Sequence, residues 1–315
     1  MNSVTVNSPG FLTTIQDLGR FGHAHLGVSQ AGAADTIALR FGNLLLGNPE
    51  NTPALEMTLV GGSFTFSSDC QIGITGSDFS PTIEGRPVPL WTTTQVSSGE
   101  ALKFSSTKSG VRCYLCLRGE LAVPHHFGSA STHLLSRLGG LSGRSLLKGD
   151  VLGYEPLEPL TRDLFRIVSD EALEQLTPRT LIRVTPGPEM ESFTEEAIRL
   201  LTTSSYEISE ESNRVGLRLR GRALLRTTKE DILTEGVTVG AVQVPSSGQP
   251  IILFVEQPTT GGYPKIANVI SADLPSVAQL KPRDEITFEI VDLTQARDAL
   301  NAQEALITPS SLRAL

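Results

Sequence analysis

The chain has 315 residues, with 26 Lys plus Arg against 34 Asp plus Glu and a formal net charge of −8. That acidic balance argues against a nucleic-acid or polyanion binder, while 39% apolar and 19% charged residues supply a real core and argue against disorder. The longest wholly apolar runs, such as Ile251 to Val255, fall far short of the ~20 residues a membrane helix needs, so no membrane partner is expected.

Met1 runs directly into Val4, Thr5 and Val6 with no basic or apolar leader, which predicts no secretory or organellar address. Short β-branched or alternating runs separated by turn residues predict strands at Ser3–Val6, Ser63–Phe66, Cys70–Thr75, Ala101–Phe104 and Val111–Leu117, then at Thr180–Val184, Val237–Val244, Ile251–Val255 and Glu285–Val291. Between the first two lies a helix: Asp35 is a good N-cap, Ile37, Phe41, Leu44 and Leu45 share a face, and Gly47-Asn48 is the stop. A second helix is expected from Ser192, where Ser-x-x-Glu195 resembles a capping box ahead of Ala197, Leu200 and Leu201. A third is expected over Leu293 to Leu306, with Leu293, Ala296 and Leu300 on its face, and short helical pieces at Asp170–Leu176 and Asp273–Ala278. The class is therefore mainly β with a few short helices.

Three cysteines are an odd number for a disulfide framework, so a reducing, cytoplasmic setting is the expectation. Cys113 and Cys116 match C-x-x-C, but three residues apart on a strand they point to opposite faces and cannot share a metal. A faint internal echo pairs Gly85-Arg86-Pro87 and the strand at Ala101 with Gly248-Gln249-Pro250 and the strand at Glu285. It predicts two related β-rich halves, residues 1–155 and 180–315, the latter with a C-terminal helix. Residues 156–179, which hold Pro156, Pro159 and Pro178, would connect them.

Three segments concentrate polar and glycine residues beyond what folding alone requires. In the loop from Ser8 to Gly22, Asp17 and Arg20 either face one ligand or staple the loop. In Ser212 to Arg220, Asn213-Arg214 at the turn suits an anion, and Arg218 and Arg220 either share that task or form a solvated strand edge. In Gln257 to Ala267, the Gly261–Gly262 amides, two Thr hydroxyls, Tyr263 and Lys265 are arranged to converge on an anion or oxyanion, and Pro264 admits a cis bond. There is no Gly-Lys-Ser/Thr phosphate loop, no G-x-G-x-x-G, no G-x-S-x-G and no H-E-x-x-H. Local chemistry thus predicts a β-rich protein with an anion-friendly polar cleft and no metal.

Ser8-Pro-Gly-x-x-Thr-Thr-x-Gln-Asp-x-Gly-Arg20, Gly32-Ala33-x-Asp35, Leu55-Glu56-x-Thr58-Leu59-x-Gly61, Gly128-Ser129-x-Ser131-Thr132, Gly139-Gly140-Leu141-x-Gly143-Arg144, Ser212-Asn213-Arg214-x-Gly216, Gly248-Gln249-Pro250 and Thr259-Thr260-Gly261-Gly262-Tyr263-Pro264-Lys265-Ile266 occur in this order. Together they resemble the biotin-dependent carboxyltransferase, or allophanate hydrolase subunit 2, family. The family includes one component of bacterial 5-oxoprolinase, an antagonist of a sporulation kinase inhibitor and part of urea carboxylase.

The resemblance implies two cyclophilin-like β-barrel halves and two further partner proteins, of the B and A types, from the same complex. It also implies a small amide or lactam substrate, with ATP used by the complex rather than bound by a motif of this chain. Met1, Met57 and Met190 all lack a neighbouring Met-Lys, so no biotin is expected on this chain. The implied catalytic residues are Asp17, Asp35 and Lys265. The implied substrate-binding residues are Arg20, Asn213, Arg214, Gln249, Thr260, Gly261, Gly262 and Tyr263. Glu256-Gln257 departs from the family's usual Asp followed by Arg or His. Three functions stay open: a 5-oxoprolinase subunit, a carboxyltransferase component for urea or a related amide, and a non-catalytic regulator.

Overall fold

A computed structural model describes residues 2–157, 165–227 and 232–315. Part of the expected connecting segment, 158–164, lies outside the described residues, and so does 228–231. The chain folds as two compact units. The first contains residues 1–20, 31–176 and 305–315, and the second 21–30 and 177–304.

The first unit is built from two antiparallel sheets. One has seven strands in the spatial order Gly119–Leu121, Val151–Pro156, Asn2–Ser8, Ser63–Phe66, Ala101–Lys103, Thr82–Ile83 and Arg86–Pro87. The other has five, in the order Leu12–Gln16, Ala54–Thr58, Arg112–Leu117, Cys70–Gly76 and Thr93–Val96. Their facing side chains, including Val4, Phe64, Phe66, Leu102, Ile15, Met57, Ile72 and Leu115, form one buried cluster. The far face of the five-stranded sheet carries Ala54, Tyr114 and Cys116, which pack on Ala38, Leu39 and Leu46 of the helix Thr36–Leu46.

Alternation along Arg112–Leu117 therefore places Cys113 in the sheet–sheet core and Cys116 under the helix, as strand geometry requires. Gly42 allows the helix this approach, because a Cβ there would lie 2.5 Å from Cys116 Sγ. The helix has the expected ends: the Asp35 carboxylate accepts from Ala38 N at 2.9 Å, and Gly47 turns left-handed with φ 70°. Its outer face, Ile37, Phe41 and Leu45, packs on Val168, Ala172 and Ile307.

The second unit contains a closed barrel of seven strands: Leu181–Pro186, Lys265–Val269, Ala241–Gln243, Ile251–Leu253, Gly216–Arg220, Tyr206–Ile208 and Glu285–Ile290. All neighbours are antiparallel except the closing pair, where Leu181–Pro186 runs parallel to Glu285–Ile290 with Ile182 opposite Phe288. The helix Leu293–Glu304 lays Ala296, Ala299 and Leu300 on Ile270, Ala272 and Val291.

Several elements differ from the sequence-based expectation. The second helix starts at Glu195 with Thr194 as its cap, accepting from Ala197 N at 3.1 Å, rather than at Ser192. Ser192 sits in a 3-10 turn and donates its hydroxyl to Glu189 O at 2.7 Å, so it cannot serve the helix. Leu293 is 77% exposed, because Asp292 and Gln295 cap each other reciprocally and set the helix so that Ala299 takes the inward place. The expected strand Val237–Val244 is confined to Ala241–Gln243. Leu12–Gln16, read as loop, is a strand whose Thr13, Thr14 and Gln16 are buried polar residues that mask its periodicity. Among the described residues no helix is long and apolar enough to cross a membrane.

Candidate functional site

In the first unit the glycine loop after Leu12–Gln16 meets the segment 126–143. Asp17 is fully buried, and its carboxylate accepts from Gly19 N at 2.8 Å, Ser129 Oγ at 2.6 Å, Ser131 Oγ at 2.5 Å and Ala130 N at 2.7 Å. Arg20, 2% exposed, reaches the same segment by donating to the Ser131 and His126 carbonyls. A carboxylate with four donors is a strong local organiser. The segment it holds is itself strained, with Phe127, Arg137 and Ser142 at φ 54°, 50° and 59° alongside several left-handed glycines. Asp17 and Arg20 thus converge on one loop, the stapling alternative. Asp35 is the helix cap described above, with Tyr114 Oη accepting its amide at 2.8 Å.

Sequence reasoning passed over the neighbouring polar core. Glu56, 1% exposed, accepts from Tyr114 Oη at 2.6 Å and Ala34 N at 2.9 Å, and faces Arg112 Nε at 3.6 Å. Burial, reinforced by the Glu56 and Asp35 charges, pushes the Tyr114 hydroxyl well above its ordinary value and keeps it a neutral donor. Glu56 stands in the Leu-Glu-x-Thr motif, the signal that was available for it.

In the second unit the predicted residues fall into separate groups. Arg214 and Glu256, 5% and 3% exposed, form a buried pair with Nε to Oε1 at 2.5 Å, and Glu256 N donates to Arg214 O at 2.8 Å. The Glu at 256 therefore has a definite partner in the Asn-Arg turn. Asn213 is exposed and bends that turn by accepting from Val215 N at 2.8 Å. Arg218 and Arg220 are exposed near Glu211, in keeping with the solvated-edge alternative. Gln249 brackets Gly221, accepting from its N–H at 2.9 Å and donating to its carbonyl at 3.2 Å.

Lys265 centres the other group. It opens its strand opposite Gln243, and the ladder is irregular there, Val242 pairing with Ala267. Such a bulge re-aims the side chain. Its ammonium, 5% exposed, lies between Glu189, 3.2 Å away, and Glu235. Burial works against the charged form, but hydrogen bonds to Glu235 and Glu189 outweigh it, so the pKa is raised and the charged form is favoured. Glu235 in turn is held below the usual carboxylate range by Lys265.

Glu235-Gly236 pairs with Thr260-Gly261, so that part of the Gly-Gly segment forms a two-stranded ribbon. Neither Gly261 nor Gly262 is left-handed, and all described peptide bonds are trans, so Thr260-Gly261 runs as ribbon and Pro264 does not take the cis option. Tyr263 is 51% exposed, and its carbonyl accepts from Gln243 Nε2 at 3.3 Å.

The barrel register separates the two groups. Gly216, beyond Arg214, pairs with Leu253 at one end of Ile251–Leu253, whereas Gln243 pairs with both Ile251 and Lys265 at the other. Glu189 and Glu235 were not anticipated, since each is a single acidic residue remote in sequence from Lys265.

Comparison with known proteins accords with this architecture. The family model for the carboxyltransferase domain, subdomain A and B, matches residues 26–290. The C subunit of 5-oxoprolinase from Haemophilus influenzae is 39% identical over 90% of this chain and 89% of its own length. The Escherichia coli K12 protein of the same name is 38% identical over 94% and 93%. Among solved structures, the K. lactis urea amidolyase superposes with a TM-score of 0.88 at 28% identity, covering 97% of this chain but 20% of that one. A domain-family match over most of the sequence, together with relatives above 30% identity along nearly their full length, establishes that the chain belongs to the carboxyltransferase-domain family of subdomains A and B.

Proposed function

We propose that this chain is one component of an ATP-dependent 5-oxoprolinase that opens 5-oxo-L-proline to L-glutamate together with B-type and A-type partner proteins. The observation that carries the reading is the end-to-end match to the C subunits of two 5-oxoprolinases, against only 17% of the yeast urea amidolyase. In this reading the Lys265 cation and the polar ribbon beside it receive the substrate carboxylate, and Arg214 with Glu256 fixes the Asn-Arg turn. Asp17, Arg20 and Asp35 hold the loops of the first unit in shape, and ATP is bound by the partners. Carboxyl transfer to urea or a related amide is the second reading, supported by the close superposition on urea amidolyase.

The test is co-expression with the B-type and A-type proteins and an assay of ATP-dependent glutamate release from 5-oxoproline. Release that requires all three proteins is expected, with little or no turnover by the isolated chain. Robust turnover by the chain alone defeats the subunit reading. Transfer from carboxybiotin to urea, without glutamate release, selects the second reading.

A further inference from the structure

Lys265 has one positive charge and two carboxylates on it, and the two are held very differently. Glu189 is built in: besides the ammonium it accepts from Lys265 N at 2.9 Å, and its own N–H donates to Lys265 O at 3.3 Å. The preceding turn is locked against the same strand, with Gly187 N donating to Ile266 O at 3.0 Å and no space for a Cβ at Gly187, where Lys265 O would lie at 2.2 Å. Glu235, by contrast, is 49% exposed and belongs to a ribbon of only two residue pairs. A Cβ at Gly236 beside it would meet nothing within 4 Å. A two-residue ribbon is marginal by itself, so the ion pair is a main tie between it and Lys265.

We propose that Glu235 is a displaceable latch: its carboxylate occupies, on the buried Lys265 ammonium, the position that the carboxylate of a small ligand takes when the Glu235–Gly236 ribbon swings away. An ammonium already matched by Glu189 and sealed by Glu235 gives an incoming carboxylate no net attraction until one of the two leaves, and only Glu235 has room to leave. The latch makes the site selective for ligands that bring their own carboxylate, because a neutral amide leaves unfilled the second carboxylate position on the buried ammonium that Glu235 occupies. This rests on the 5-oxoprolinase reading only for the identity of the ligand, not for the exchange itself.

The experiment measures binding of three probes to the full-length protein by titration calorimetry, for the native chain and for Glu235→Gln. The probes are 5-oxo-L-proline, cyclopentanecarboxylate, which keeps ring and carboxylate without the lactam, and 2-pyrrolidinone, which keeps the lactam without the carboxylate. Removing the latch relieves the penalty of a closed majority state, so E235Q is expected to bind both carboxylates about tenfold more tightly, with no gain for 2-pyrrolidinone. Hydrogen exchange at Val237, whose amide donates to Thr259 O at 3.1 Å, should accelerate in the same variant. If E235Q binds the carboxylates no better than the native chain, or not at all, the latch is refuted, and so it is if Val237 exchange is unchanged. A gain for cyclopentanecarboxylate without one for 5-oxoproline preserves the latch and discards the substrate assignment.

Discussion

Arg214 and Glu256 illustrate how much a single pair can hold at the residue scale. Both groups are buried, and removing one takes from the other its ion-pair partner in a low-dielectric setting. Arg214→Ala or Glu256→Ala should each cost about 3–5 kcal/mol in urea denaturation, and replacing both by methionine should recover most of the loss. Additive losses in the double variant would show that the two residues act independently. Asp17 is a second case. Asp17→Ala strips four donors of their acceptor and is expected to destabilise by about 2–4 kcal/mol, with the loss read by denaturation at neutral pH. A cost below about 0.5 kcal/mol would mean that the 126–143 segment does not depend on it.

At the scale of elements, the turn 144–150 carries a pH signature. Arg144 meets Asp150 through two nitrogens at 2.7 and 2.9 Å, and Asp150 also accepts from Leu147 N. The guanidinium, ahead of all other influences, holds the Asp150 pKa below its ordinary value. A lowered folded-state pKa gives stability that is complete above the unfolded value, about 4, and is lost as pH falls through the folded one. Asp150→Asn should therefore lower the melting temperature more at pH 7 than near pH 2. Equal losses at both pH values would contradict the pairing.

The same scale shows what the sequence reveals. The helix at Asp35 is legible from start to stop because cap, stripe and terminating glycine are all local. The strand Leu12–Gln16 is not, because Thr13, Thr14 and Gln16 are buried polar residues, and the carbonyl that receives Gln16 Nε2 at 3.1 Å, that of Thr132, is remote in sequence. Likewise Lys265 stands in a readable motif, but its carboxylate partners lie 76 and 30 positions away, brought in by the turn after Leu181–Pro186 and by the Glu235–Gly236 ribbon.

For the molecule as a whole, each unit keeps its own interior, and all three cysteines lie in the core of the first. Burial raises the pKa of all three thiols, which leaves them both hidden and protonated. The native protein is expected to resist a thiol reagent such as 5,5′-dithiobis(2-nitrobenzoate) for hours, and to release three equivalents once unfolded by guanidinium. Prompt labelling under native conditions would mean that the first unit opens readily.

The parallel seam of the barrel governs how this unit comes into being. Leu181–Pro186 has its sheet partner roughly a hundred residues later, at Glu285–Ile290, so during synthesis its outer edge stays bare until that last strand has emerged from the ribosome. Such a long-range final step makes assembly slow and exposes an unpaired margin to other nascent copies. Expression at reduced temperature, or with a chaperone that shields strand edges, should therefore raise the yield of correctly closed protein more than any substitution in its interior.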